Sequence, residues 1–196
     1  MLNKIILASK SKVRKDILDK NNIESVVEPS NVDEDIIKLA LIKEKATPEI
    51  ISKNLAELKA NKVSAKKQGE IVLGADSVID LDGELISKPE SREEAMIILK
   101  KLNGKTHFLI SSVCISKNGA MIWNHTESSE LKMKNFSEKE LLEYLNKITT
   151  ETLQNYGVYQ IEADGLSLFE YIKGSRESIM GLPIKQILSY MKEYKE

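Results

Sequence analysis

Short apolar runs alternate along this chain with segments whose apolar residues recur at helical spacing, which favours an α/β layered fold over an all-β sandwich or a helical bundle. The sheet is expected to be mixed. Residues 5–7 read as a first buried strand, followed by a serine-rich turn and a helix carrying Val13, Ile17 and Leu18, with Asn21-Asn22 as its stop. Thr47-Pro48-Glu49 supplies a cap, a first-turn proline and an acid against the helix dipole, for a helix running to about Lys66. Ser91-Arg92-Glu93-Glu94 and Ser137-Glu138-Lys139-Glu140 are capping boxes that predict two further helices, the first closed by Gly104. Residues 71–79 read as a mostly buried strand ending toward an Asp82-Gly83 hairpin turn. Residues 108–115 and 121–123 read as a strand pair joined across Asn118-Gly119. A last helix from Pro183 puts Ile184, Ile187, Leu188 and Met191 on one face.

At 196 residues and 41% hydrophobic content the chain suffices for one compact domain, 1–196, without disulfides or metal staples. The 29 basic residues nearly cancel the 30 acidic ones, so no uniformly basic surface for nucleic acid is expected. The single cysteine, Cys114, lies among apolar residues and reads as a small buried hydrophobe. No stretch approaches the roughly 20 apolar residues of a membrane span, and the expected location is cytoplasmic.

Ser9, Ser11 and Arg14 lie where a strand turns into a helix, so amides, hydroxyls and a guanidinium would converge on an anion there. Taken alone, Ser11 is more simply explained as an N-cap. Asp76 interrupts an apolar strand, where an unpaired buried charge costs several kcal/mol, so it needs a cation, a metal or a proton. A carboxylate capping backbone amides is the alternative. Lys88-Pro89 follows the hairpin closely enough to return an ammonium to the same cleft, although a solvated lysine is the ordinary explanation of such a residue taken alone. Val32-Asp33-Glu34-Asp35 either shares a divalent cation with Asp76 or forms a solvated turn. His107 and His125 lack zinc-pair spacing and read as structural.

Taken together these residues resemble the Maf family of nucleoside triphosphate pyrophosphatases. Leu7-Ala8-Ser9-Lys10-Ser11-Lys12-Val13-Arg14 resembles its L-A-S-x-S-P-R-R opening, and Leu73-Gly74-Ala75-Asp76-Ser77-Val78 its G-A-D-T-V. Leu58-Lys59-Ala60, Ser87-Lys88-Pro89, Leu102-Asn103-Gly104-Lys105-Thr106-His107, Gly157-Val158-Tyr159-Gln160-Ile161-Glu162 and Gly181-Leu182-Pro183 follow in the family's order. The resemblance implies a two-lobed mixed sheet flanked by helices around a central cleft, as in Maf and ITPase-like proteins. It also implies hydrolysis of a nucleoside triphosphate to monophosphate and pyrophosphate with a divalent metal, Mg or Mn. By the same match Asp76 is the catalytic carboxylate, Ser9, Arg14, Lys59 and Lys88 hold the triphosphate, and Glu34 joins Asp76 at the metal. Homodimerisation is implied by the resemblance alone.

By the same resemblance Val13, Ser77 and Glu162 would stand beside the base, at positions where the pyrimidine-selective members carry Arg, Thr and Gln. Tyr159-Gln160-Ile161-Glu162 with the downstream Leu168-Phe169-Glu170 looks closer to the branch containing 7-methyl-GTP pyrophosphatases, and Gln154-Asn155 in place of an Asp-Lys pair argues against the pyrimidine branch. Glu162 would accept from the ring N–H and amino group of guanine. Lys12 replaces the usual proline and Ser111-Ser112 a common T-G, both mild changes. A non-catalytic nucleotide-binding regulator of division or growth is the competing reading, against which the retained Asp76 speaks.

Overall fold

The computed structural model describes residues 4–161 and 164–194, without the side chains of residues 154 and 155. Strand β1 (Lys4–Leu7), helix α1 (Lys12–Lys20) and strand β2 (Glu24–Val27) open the chain, with β1 and β2 parallel. Ser11 caps α1 by accepting from the Arg14 amide, and Asn22 stops the chain at φ 58°. Helices α2 (Glu34–Lys43) and α3 (Pro48–Ser64) then carry the chain back to β3 (Ile71–Leu81), which lies parallel to β1 on its other side. Asp82 and Gly83, at φ 55° and 84°, turn β3 into the short β4 (Glu84–Ile86).

Helix α4 (Arg92–Leu102) leads to the long antiparallel pair β5 (Thr106–Lys117) and β6 (Ala120–Met133). After α5 (Glu138–Asn146) and α6 (Thr150–Tyr156) come β7 (Phe169–Lys173), the single turn α7 (Arg176–Ile179) and α8 (Ile184–Glu193). The strands form one seven-stranded mixed sheet in the order β2-β1-β3-β5-β6-β7, with β4 on β3.

Two cores share this sheet, giving the two lobes. One packs Leu7, Leu18, Leu73, Ile115 and Ile187 beneath α1 and α8. The other packs Leu81, Leu99, Leu131, Leu141 and Phe169 beneath α4 and α5. On the sheet's other face α3 lies directly on β3, because Gly74 has no side chain to hold it off. A Cβ there would sit 2.2 Å from the Ala56 carbonyl oxygen and 2.7 Å from the Ala60 amide. Cys114, buried as expected, fills the same contact beside Ala56 and Ala60.

Several expectations need correction. The acidic run at 32–35 is no solvated turn: Asp33 caps α2 by accepting from the Ile36 amide, and Glu34 and Asp35 occupy its first turn. The Ser91 box closes differently, since Glu94 accepts from the Glu90 amide rather than from Ser91, whereas the Ser137 box is reciprocal as expected. Helix α3 stops at Ser64, and β6 extends to Met133, where buried Leu131 and Met133 reward pairing beyond the few apolar residues that marked its start. Strands β2 and β7 and helices α6 and α7 had no strong pattern of their own. Among the described residues no helix is long and apolar enough to cross a membrane.

Replacing Gly74 with alanine is expected to lower unfolding free energy by about 1–3 kcal/mol through overpacking between α3 and β3. Urea unfolding checks this, and an unchanged midpoint would contradict the close approach.

Candidate active site

The cleft lies where β3 loses its neighbour. Strand β1 last pairs at Leu7 opposite Leu73, and β4 begins pairing only at Ile79, so residues 74–78 of β3 have no strand along that edge among the described residues. Strand alternation divides the residues exposed by this gap: Asp76 faces α3, while Ser77 faces α1. The resulting cleft, about 1420 Å³, is lined by Ser9, Val13, Arg14, Glu34, Lys59, Asp76, Ser77 and Lys88 among others. It exceeds the usual size of an enclosed ligand pocket and is open to solvent. Expected site residues distant in sequence therefore meet at one place. Glu162 falls outside the described residues.

Asp76 is only 5% exposed, and Lys59, 6% exposed, reaches it from the middle of α3. The Lys59 Nζ lies 2.8 Å from Asp76 Oδ1 and 2.8 Å from Glu34 Oε1. Ser52, two helical turns before Lys59 on α3, donates to the Asp76 backbone carbonyl at 3.3 Å. Burial raises the Asp76 pKa, against the opposing pull of Lys59 and Arg14. For Glu34 burial also pushes upward, but Lys59, Lys38 and Arg14 together hold its pKa below the ordinary value. Asp76 Oδ2 is buried without a hydrogen-bond partner among the described residues.

Arg14 behaves differently from the simple phosphate ligand that the motif match implies. Its Nε donates to the Gly181 carbonyl at 2.9 Å, Nη1 to Ser9 Oγ at 3.1 Å and to the Ala75 carbonyl at 2.9 Å, and Nη2 to Ser77 Oγ at 3.2 Å. The guanidinium thus substitutes for the missing strand along β3 and fixes Ser9, while desolvation lowers its pKa. Gly181 is required here, with φ 96° and a would-be Cβ 3.3 Å from the guanidinium. The Ser77 hydroxyl lies 2.9 Å from Ser111 Oγ, which donates to the Ser178 carbonyl at 2.7 Å. Because that carbonyl only accepts, the Ser77 proton must go to Ser111, leaving Ser77 solely an acceptor toward anything in the cleft.

Lys88 stands on the opposite wall. Its surface is open to solvent, yet the surrounding walls remove enough water to lower its pKa, with Arg14 adding repulsion. Behind this wall His107 is fully buried, its Nε2 2.9 Å from the hydroxyl of Tyr159, and Tyr159 in turn lines the cleft. The sequence reading of His107 as structural holds, and the structure adds that it fixes the loop bearing Tyr159. His125 stacks on Trp123, away from the cleft.

The family described as Maf-like protein matches residues 4–194. The chain belongs to that family. It is 63% identical over 192 residues, 98% of both chains, to a protein of Pelagibacter ubique (strain HTCC1062) named nucleoside triphosphate pyrophosphatase. A protein of the same name from Ruegeria pomeroyi (strain ATCC 700808 / DSM 15171 / DSS-3) is 36% identical over 95% of this chain and 94% of its own. A 7-methyl-GTP pyrophosphatase of Brucella abortus biovar 1 (strain 9-941) is 34% identical over 100% of this Maf-like chain and 98% of its own.

Burial holds His107 neutral, with its pKa lowered to about 4 from 6.5. Between those values the unfolded chain takes up a proton that the native one refuses, so stability falls as pH drops from 6.5 to 4. The loss should approach about 3 kcal/mol in the wild type. The slope should be shallower in His107→Gln by that amount, and equal slopes in pH-dependent urea titrations would refute this.

Proposed function

We propose that this Maf-like chain hydrolyses a nucleoside triphosphate to the monophosphate and pyrophosphate, with Asp76 as the catalytic carboxylate. The observation that carries the reading is the meeting of Asp76, Lys59 and Glu34 at the floor of one large cleft. Cleavage between the α- and β-phosphates requires a water oxygen to bond to phosphorus while the leaving phosphate oxygen departs. Negative charge grows on the non-bridging and leaving oxygens. Asp76 orients that water and takes its proton. Lys59 and Lys88 offset the charge, and Ser9, held by Arg14, fixes the phosphate chain at the carboxyl end of β1. Arg14 contributes chiefly by positioning and by its field, since four of its N–H groups are engaged within the protein.

The donor set suits a magnesium or manganese ion. The unpartnered Asp76 Oδ2 and the neighbouring Glu34 are hard oxygen donors, and such ions take one or two carboxylates with the rest from water and substrate phosphates. No group of three or more metal-binding side chains occurs among the described residues, consistent with a substrate-completed site rather than a protein cage. Asp76 and Glu34 would hold the ion, which when bound would neutralise phosphate charge.

For the base we propose a guanine-type nucleotide, standard or methylated. Ser77 gives its proton to Ser111 and one lone pair to Arg14 Nη2, so it offers the cleft a single acceptor site, and a guanine edge offers N–H donors. The likeness to the Brucella 7-methyl-GTP pyrophosphatase supports this choice. The proposed setting is the cytoplasm.

Asp76→Asn should lower the turnover number by about 100-fold or more while leaving nucleotide affinity within a few-fold. Pyrophosphate release and equilibrium nucleotide binding are measured on the same preparation. Retained binding with full pyrophosphate release would remove Asp76 from the reaction.

A further inference from the structure

The most unusual group in the cleft is Lys59. A single ammonium, 7% exposed, stands 2.8 Å from each of two carboxylates that arrive from different elements, Asp76 from β3 and Glu34 from α2. The second Glu34 oxygen has Lys38 3.9 Å away, whereas the second Asp76 oxygen is buried with no partner among the described residues. This is the electrostatic arrangement of a cation site, two acids converging on one positive charge, except that the charge is covalently attached to the protein.

We infer that Lys59 is a built-in counter-ion that occupies the cation position of the nucleotide-free protein and competes with the divalent metal for Asp76 and Glu34. The inference rests on the proposed role of these carboxylates in metal binding. A divalent ion touching the same oxygens would lie close to the ammonium in a poorly solvated site, where like charges repel strongly. Both cannot remain in place. The lysine stem is flexible, and Lys59 already lines the cleft, so arriving phosphates give the displaced ammonium a new partner. Metal and nucleotide binding are then coupled: each strengthens the other by the same factor, because each favours the state in which Lys59 has left the carboxylates. Free metal without substrate is held weakly, and without Lys59 the two acids would repel each other across the floor of the cleft.

The test measures Mn²⁺ binding without nucleotide, by electron paramagnetic resonance of the free ion, in wild type, Lys59→Met and the double variant Lys59→Met/Asp76→Asn. Removing Lys59 should tighten Mn²⁺ binding by roughly tenfold or more, and the double variant should lose that gain. Thermal unfolding provides a second readout that does not require a fully stable variant: Mn²⁺ should raise the melting temperature of Lys59→Met more than that of wild type. Equal or weaker Mn²⁺ affinity in Lys59→Met, with no larger thermal gain, overturns the competition. That outcome leaves the metal site standing if wild type itself binds Mn²⁺. Absence of Mn²⁺ binding in every variant instead overturns the assignment of Asp76 and Glu34 as metal ligands, and the competition with it.

Discussion

The cleft depends on one buried ion pair with a third member: Lys59 held between Asp76 and Glu34. Burying a carboxylate in the middle of a seven-stranded sheet is unfavourable, and the raised Asp76 pKa shows that its neighbours do not fully compensate. A chain selected for stability alone would place an apolar residue there. The arrangement persists because neighbouring structure over-determines it: Gly74 lets α3 lie on β3, Ser52 ties the helix to the Asp76 backbone, and the stripe Ile51, Leu55, Lys59, Val63 delivers the ammonium at the right height.

The second device is the use of a side chain in place of a strand. Where β1 has ended and β4 has not begun, β3 would expose carbonyl groups on its open edge. Arg14 covers this edge, joins Ser9 to the Gly181 segment, and orders a hydroxyl chain through Ser77 and Ser111 to the Ser178 carbonyl. The positive charge that the motif match assigned to substrate is therefore also a structural brace, linking the first turn of α1 to the residues before α8. The proposed substrate recognition and the lobe geometry share the same atoms. Substitutions at Arg14 will consequently report on both.

Much of this was legible in the sequence. Local signals with a direct chemical cause translated faithfully: the Ser11, Thr47 and Ser137 caps, the Asp82-Gly83 and Asn118-Gly119 turns, and the apolar strand bearing Asp76. Helix α2 was missed because its acids were weighed as ligands or a solvated turn, although Asp33 ahead of Ile36, Leu39 and Ile42 carried a cap-and-helix pattern. None of its residues is buried, so tertiary burial gave that pattern no reinforcement. Lys59 came from the family motif, but a lysine on an apolar i, i+4 stripe was itself a signal of a buried partner. The commitment of Arg14 to Gly181 and Ala75 was beyond sequence reasoning, since it depends on where β1 stops relative to β3, a property of the sheet rather than of any segment.

The reaction proposed for this cleft is cleavage between the α- and β-phosphates of a nucleotide. Phosphorus NMR of the purified chain incubated with guanosine triphosphate and magnesium, and in parallel with its 7-methyl derivative, reads the broken bond directly. Pyrophosphate and nucleoside monophosphate should form in equal amounts, with no diphosphate intermediate. Accumulation of nucleoside diphosphate with orthophosphate would contradict it.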